Sequence, residues 1–344
     1  MIEIDGSIGG GQVLRTAIGL SALTGDSVKI TKIRTNRAGK QGLRPQHMMG
    51  VKIAGELCEA DIRGLKEGST EVEFKPKRLN VSSGKVDIGT AGSVTLLLQT
   101  ILPILIFTEK PISIEIKGGT EVQWSPTIQY YQNVLFPLLN KIGTSLELKI
   151  LSHGYYPKGK GAIRINSDPA RRLNSWNCVS RGEIKSLCVD SVCGNLPEDN
   201  AKIQGEAAVR EFQLKYPKIK AFMSYKNVES LSPGSSCTCY AICENSILGS
   251  SSLGERALKS EVVGQEASED LLKSLDRGAC LDKYMADQIL PYLALAKGKS
   301  SVSIEGATDH FVTNIHIIEK MLPVKFWVKD KNISVGGVGW IKDG

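Results

Sequence analysis

The chain has 344 residues, 41% hydrophobic and 23% charged, with 43 lysines and arginines against 36 acidic residues and a net charge of +7. That composition excludes a disordered or low-complexity polymer and allows a soluble globular protein with a sizeable core, in one large or two ordinary domains. The modest excess of cations suits a polyanionic partner such as nucleic acid, or a phosphorylated metabolite, and compels neither.

Residues 1–5 read at once as a strand, with no basic region and apolar stretch of a secretory signal, so a cytosolic protein is expected. A glycine-rich turn at 6–11 leads into an apolar helix at 12–23 and a strand at 27–33. A second helix begins near Pro45 and runs over 46–58, and a strand follows at 70–74. The same succession restarts with a strand at 84–88, a turn at 89–92, a helix at 93–107 and a strand at 111–116. It continues with a turn at 118–120, a second helix at 126–142 and hairpin strands at 145–151 and 162–166. The apolar run 94–107 is too short for a membrane span and reads as a buried helix.

A third round has a helix at 284–296, a strand at 301–305, a turn at 306–308, a helix at 310–321 and a hairpin at 324–328 and 332–335. Between the second and third rounds, 182–278 carries strands at 184–192 and 236–243, one amphipathic helix at 201–215, and turns at 194–197, 232–235 and 249–252. The expected fold class is α+β. Three repeated two-helix, four-strand units form a large domain from 1–181 and 279–344, with a smaller inserted α+β domain at 182–278. A single helix pair cannot bury itself, so three such units packed together, with pseudo-threefold symmetry, give one core.

Eight cysteines are present, seven of them between Cys178 and Cys280. Cys237, Cys239 and Cys243 do not have zinc-knuckle spacing, and 235–243 alternates as a strand. Structural thiols are expected, with a disulfide or a metal as the alternatives.

Several stretches are able to carry chemistry. Gly9-Gly10-Gly11-Gln12 follows a strand and opens a helix, which offers backbone N–H groups to an anion or simply makes a tight turn. Arg15 lies one turn further on, within reach of the same anion. Arg34, Arg37, Lys40 and Arg44 crowd a loop before Gln46 and His47, as a phosphate-binding loop or a solvated basic one. Lys158-Gly159-Lys160-Gly161 reads as a hairpin loop beside the site. Gln99 sits inside the most apolar helix, where an amide needs a partner, as a site residue or a satisfied core polar group. Tyr284, Asp287 and Gln288 open a helix, and Asp287 suits a divalent ion, a ribose or the helix dipole. His310 stands at a strand-to-helix junction as a nucleophile, a general base or a polar cap, with Thr308 or Asp309 able to cap instead.

Taken in order, several motifs resemble the RNA 3′-terminal phosphate cyclase family along nearly the whole chain. They are Gly9-Gly10-Gly11-Gln12-Val13-Leu14-Arg15, the segment from Arg37 through Gly42-Leu43-Arg44-Pro45-Gln46-His47, and Gly89-Thr90-Ala91-Gly92-Ser93. His153-Gly154-Tyr155-Tyr156-Pro157-Lys158-Gly159, Ala286-Asp287-Gln288, and His310 with Thr313-Asn314 complete them. The resemblance implies a three-unit α+β core with a smaller inserted domain, in agreement with the periodicity.

It also implies a reaction: a histidine attacks the α-phosphorus of ATP, AMP passes to an RNA 3′-phosphate, and the 2′-OH closes a 2′,3′-cyclic phosphodiester as AMP leaves. A divalent cation, Mg or Mn, assists. His310 matches the nucleophile, a role that suits an imidazole partly neutral at pH 7. Arg15, Arg37, Arg44 and Gln46 match residues expected to hold substrate phosphates. Gln99, Tyr284, Asp287 and Gln288 match the nucleotide pocket, and Pro126 and Leu253 would flank adenine. No metal ligand is assigned.

Ile8 leads directly into Gly9 where many members have a longer turn with a glutamate, Glu121 replaces an aspartate, and Lys160 replaces a glycine. The alternative is a non-catalytic, cyclase-like ribosome-biogenesis scaffold, which keeps the fold without the nucleophile; His310 favours catalysis. A carboxyvinyl transferase also repeats small α/β units, and the ordered cyclase motifs argue against it.

Overall fold

A computed structural model describes residues 1–36, 39, 41–197 and 199–341. Alternating apolar positions pair its strands into four mixed sheets of four strands each. The first contains β1 (Ile2–Asp5), β2 (Val28–Thr31), β3 (Asp61–Arg63) and β4 (Val72–Lys75), ordered β1-β2-β4-β3. The second contains β5 (Gly84–Asp87), β6 (Ile112–Gly118), β7 (Ser145–Ser152) and β8 (Gly161–Asp168), ordered β5-β6-β8-β7. After β9 (Asn177–Cys178) comes a sheet of β10 (Ile184–Gly194), β11 (Ala221–Val228), β12 (Gly234–Cys243) and β13 (Ile247–Leu253), ordered β11-β10-β12-β13. β9 itself pairs with β14 (Lys297–Ser303), which is followed by β15 (Phe326–Lys329) and β16 (Asn332–Val338), in the order β15-β16-β14-β9. Each sheet has one parallel pair at an edge and then two antiparallel pairs.

Helices cover these sheets. α1 (Gly11–Thr24) packs against α2 (Pro45–Leu57) and α3 (Val94–Ile106). α3 is apolar all round and almost wholly buried, which makes it the centre of the main core. A Cβ on Gly19 of α1 would stand 2.5 Å from the Thr100 carbonyl oxygen, so glycine is what lets α1 and α3 approach this closely. The helix expected at 126–142 is three segments: α4 (Ile128–Tyr130), a π-helical stretch (Tyr131–Leu135) and α5 (Phe136–Lys141). Pro137 explains the break, because it has no N–H to donate and its ring displaces the carbonyl one turn earlier.

The segment 182–278 departs from expectation. It has two helices, α6 (Asp199–Lys215) and α7 (Ser260–Arg277), which pack on one another and enclose a second apolar cluster with the sheet. Residues 249–252, expected as a turn, lie inside β13. Gly194, expected to open a turn, likewise belongs to β10. Further on, the helix expected at 284–296 is split into α8 (Met285–Gln288) and α9 (Leu290–Leu295) ahead of Pro291. The last helix, α10 (Asp309–Met321), packs against α1 and α9.

All eight cysteines are free and buried, as structural thiols should be. No cluster of three metal-binding side chains occurs among the described residues, and no helix among them is long and apolar enough to cross a membrane.

Candidate active site

The N-terminal ends of α1 and α10 meet with α8 at one place, and a buried amide network fixes them there. Asn314 on α10 is fully buried. Its Oδ1 accepts from Gln12 Nε2 at 3.1 Å and from Thr16 Oγ1 at 2.6 Å, both on α1. Its Nδ2 donates to the Asp287 carbonyl at 2.8 Å, on α8. One side chain therefore ties together the three helices that carry Arg15, Asp287 and His310. Two glycines of the triple-glycine turn are required by this packing. A Cβ on Gly9 would lie 2.8 Å from Thr313 Cγ2, and one on Gly11 would lie 2.5 Å from His47 Nε2.

Between these helices, α3 and β13 lies a cleft of about 630 Å³, within the usual range for a drug-sized or nucleotide-sized ligand. Its lining includes His310, Arg15, Gln99, Pro126, Leu253, Tyr284, Asp287 and Gln288, positions that are far apart in the chain. Arg15 donates from Nε to Gln99 Oε1 and from Nη2 to Gln12 Oε1, each at 2.6 Å. Burial lowers the Arg15 guanidinium to about 10, yet it stays charged at neutral pH. The Gln99 amide is satisfied within its apolar helix: it clamps Arg15, donates to Gln288 Oε1 at 3.3 Å, and faces the cleft.

Thr308 settles the capping question. Its Oγ1 accepts the Phe311 N–H at 3.1 Å, so the cap of α10 is not the role of His310. The half-exposed His310 ring turns Nδ1 toward Asp287, 3.9 Å from Oδ2. Asp287 is only 8% exposed, and burial raises its carboxyl to about 7, with Arg15 pulling the other way. Tyr284 is held from the α7 side, donating from its hydroxyl to Asp270 Oδ2 at 3.0 Å with the Lys283 ammonium 4.8 Å from its ring centre.

Other expected residues lie elsewhere. Arg44 lines neither this cleft nor the one beside it, and pairs with Glu67 at 2.9 Å. Gln46 donates to the Ser93 carbonyl at 3.1 Å and accepts the Ser93 N–H at 2.7 Å, so its amide joins α2 to the start of α3. Arg37 lies outside the described residues. The Lys158–Gly161 turn packs on Ala91 rather than lining the cleft. Glu121 is buried and paired with His153 Nδ1 at 2.9 Å, so its departure from the usual aspartate does not touch the cleft. His47, neutral because burial and three arginines push its pKa down to about 3, accepts the Arg44 N–H at Nδ1.

The sequence motif includes Gln12 without a role of its own, although its polarity at a helix start was a usable signal, and it does not include Trp124. That indole stands at the cleft mouth, 95% exposed, on a left-handed backbone with φ of 60°. A second cleft of about 370 Å³, lined by Gly9, Gly10, Arg34, Asn36 and Thr313 among others, shares Gln12 and His310 with the first.

A family model described as RNA 3′-terminal phosphate cyclase matches residues 7–328. A protein of that name from Methanopyrus kandleri is 42% identical over 339 residues, 96% of this chain and 96% of its own. Others so named, from Ignicoccus hospitalis and Pyrobaculum aerophilum, are 42% and 39% identical, covering 94% and 98% of this chain and 93% and 99% of their own. A solved EPSP synthase from Acinetobacter baumannii is 11% identical, with a TM-score of 0.26 over 99% of this chain and 66% of its own, a likeness too slight to carry an argument. With its motifs in order and its matches spanning nearly the whole chain, the protein belongs to the RNA 3′-terminal phosphate cyclase family.

Proposed function

We propose that the protein is an ATP-dependent RNA 3′-terminal phosphate cyclase that works through a covalent adenylate on His310. The observation that carries this reading is the position of His310: on a nucleotide-sized cleft, with the Asp287 carboxylate 3.9 Å from Nδ1 and a buried, charged Arg15 lining the same space. In this reading Nε2 attacks the α-phosphorus of ATP while Nδ1 faces Asp287. The new N–P bond forms as the bond to pyrophosphate breaks, and Asp287 balances the imidazolium that develops. An oxygen of the RNA 3′-phosphate then attacks the same phosphorus, and imidazole leaves, giving RNA(3′)pp(5′)A. Attack by the neighbouring 2′-oxygen on the RNA phosphorus expels AMP, and the cyclic diester remains.

Arg15 takes the phosphates of ATP, where a fixed cation lowers repulsion between two phosphoryl groups that must meet. Gln99, Tyr284, Asp287 and Gln288 hold the nucleotide, and Pro126 and Leu253 flank its base. The RNA terminus enters from the second cleft, which also reaches His310. Arg37 and Arg44 take its phosphate; the Arg44–Glu67 pair is partly exposed, with Glu67 on the solvent side, and such pairs are weak enough to exchange for a phosphate. Gln46 keeps a positioning part through Ser93. A magnesium ion asks for one or two carboxylates beside substrate phosphates, and Asp287 is the cleft carboxylate beside His310 that would hold it and help neutralise phosphate charge.

The fold is read the same way. The orders β1-β2-β4-β3, β5-β6-β8-β7 and β9-β14-β16-β15 all run first, second, fourth, third in chain order, which supports three copies of one unit. The segment 182–278 is then an inserted domain between the first two strands of the third copy. Free buried thiols suit a reducing cytosol.

The direct test is an RNA ending in a 3′-phosphate, incubated with protein, ATP and a divalent ion. Its end should become resistant to phosphatase, while omission of ATP leaves it sensitive and a 3′-hydroxyl RNA is unaltered. An end that stays phosphatase-sensitive in the complete mixture defeats the proposal.

A further inference from the structure

The solvent faces of three sheets differ in a way that packing does not require. On the first, Glu3, Lys29, Glu73 and Arg63 form one row across the strands, and Lys29 lies 2.9 Å from Glu71 and 3.5 Å from Glu73. On the second, Lys85, Glu115, Arg164 and Lys149 form the row, and Glu115 lies 3.8 Å from Lys85 and 3.6 Å from Arg164. Opposite charges alternate and cancel along the first row, and in the second Glu115 stands between two cations and pairs with both.

The sheet of β9, β14, β16 and β15 has no aspartate or glutamate in any of its strands. Its corresponding row is Asn177, Ser301, Ser334 and Trp327. Lys329 stands opposite Asn332 on one side, and Lys299 opposite Gly336 on the other. Lys299 and Lys329 are exposed and have no ion-pair partner among the described residues. The Trp327 indole is 58% exposed, and the residue paired with it across the strand is the small Ser334. These side chains line a groove of about 640 Å³.

Exposed cations without a carboxylate partner beside a wet indole match a ligand that is both polyanionic and made of flat rings. β14 also leads through 304–308 into α10 and His310, and the Ile304 N–H donates to the Lys331 carbonyl at 2.8 Å beside the start of β16. The end of this sheet therefore adjoins the segment that leads to His310. We propose that this sheet face binds the single-stranded stretch of RNA upstream of the reacting 3′ end, with a base stacked on Trp327 and phosphates on Lys299 and Lys329. The proposal rests on the reading of the substrate as RNA.

The test measures fluorescence anisotropy of a 5′-labelled, unstructured RNA of about 20 nucleotides with a 3′-hydroxyl, which binds without reacting. Trp327→Ala should weaken binding about tenfold. The double variant Lys299→Gln/Lys329→Gln should flatten the plot of log affinity against log salt by about 1.4, roughly 0.7 for each cation removed. Both variants should self-label with α-labelled ATP at the wild-type rate, which shows them folded with the cleft intact. Unchanged affinity and salt slope in both variants would overturn the proposal. So would sedimentation showing that Trp327→Ala separates a dimer while RNA affinity stays constant. Absence of self-labelling in the wild type would count against the enzymatic reading instead, and the comparison of RNA affinities would still be readable.

Discussion

Asp287 occupies a position that costs stability, and Asp287→Asn measures that cost. The carboxyl is raised from 3.8 to about 7, chiefly by burial. Between those values the native chain keeps a proton that the unfolded chain has released. The unfolded state then binds fewer protons, so stability falls as pH rises from about 4 to about 7, and the full penalty applies above that. At about 1.4 kcal/mol for each tenfold change in proton affinity, the charge costs roughly 4 kcal/mol near pH 8 and roughly 2 kcal/mol near pH 5. Urea unfolding of Asp287→Asn should therefore show a gain over wild type that grows by roughly 2–3 kcal/mol between those conditions. The same variant should form adenylate at least tenfold more slowly, about 1.4 kcal/mol in barrier, because an amide cannot balance the imidazolium. A gain that does not change with pH, or a variant less stable than wild type near pH 8, would refute the idea that function holds this carboxylate against its preference.

Three further outcomes follow from the geometry. Arg15→Lys keeps a charge but cannot serve Gln12 and Gln99 together, so KM for ATP should rise about tenfold or more; an unchanged KM would remove Arg15 from the phosphate site. Asn314→Leu leaves the buried Thr16 hydroxyl without its acceptor and the Asp287 carbonyl without its donor, while Gln12 keeps only its 3.3 Å bond to Thr16 from Nε2, and urea unfolding should show a loss of roughly 3–5 kcal/mol, whereas a loss below about 1 kcal/mol would mean the network does not hold the helices. A thiol reagent should leave the native chain almost unlabelled and reach all eight cysteines only after unfolding; fast labelling of native protein would contradict their burial.

What the sequence made legible is whatever local chemistry dictates. The helices α1 and α3 were readable from apolar periodicity, and the cap at Thr308 from its place before α10. α7 was missed, although Val263, Ala267, Leu271 and Leu275 recur every four residues and all are buried. β13 was not readable, because Gly249-Ser250-Ser251-Ser252 has turn chemistry; those serines are satisfied by α7, with Ser250 Oγ donating to the Ala267 carbonyl and Ser252 Oγ to Glu266 at 2.8 Å. The cleft's membership came from the family motifs rather than from spacing. The approach of Asp287 to His310 depends on how α8 and α10 pack, and Asn314 fixes that across 302 residues of chain from Gln12. Gln46 and Arg44 show the converse: polar residues in a functional motif whose side chains, in this structure, mainly satisfy backbone and neighbouring charge.

The central claim is that the His310 imidazole becomes covalently adenylated. Protein incubated with α-labelled ATP and a divalent ion, without RNA, should acquire label that acid removes and alkali spares, as a phosphorus–nitrogen bond requires. Mass spectrometry should place it on His310, and His310→Ala should carry none. Label absent from wild-type protein, or undiminished in His310→Ala, would contradict the account.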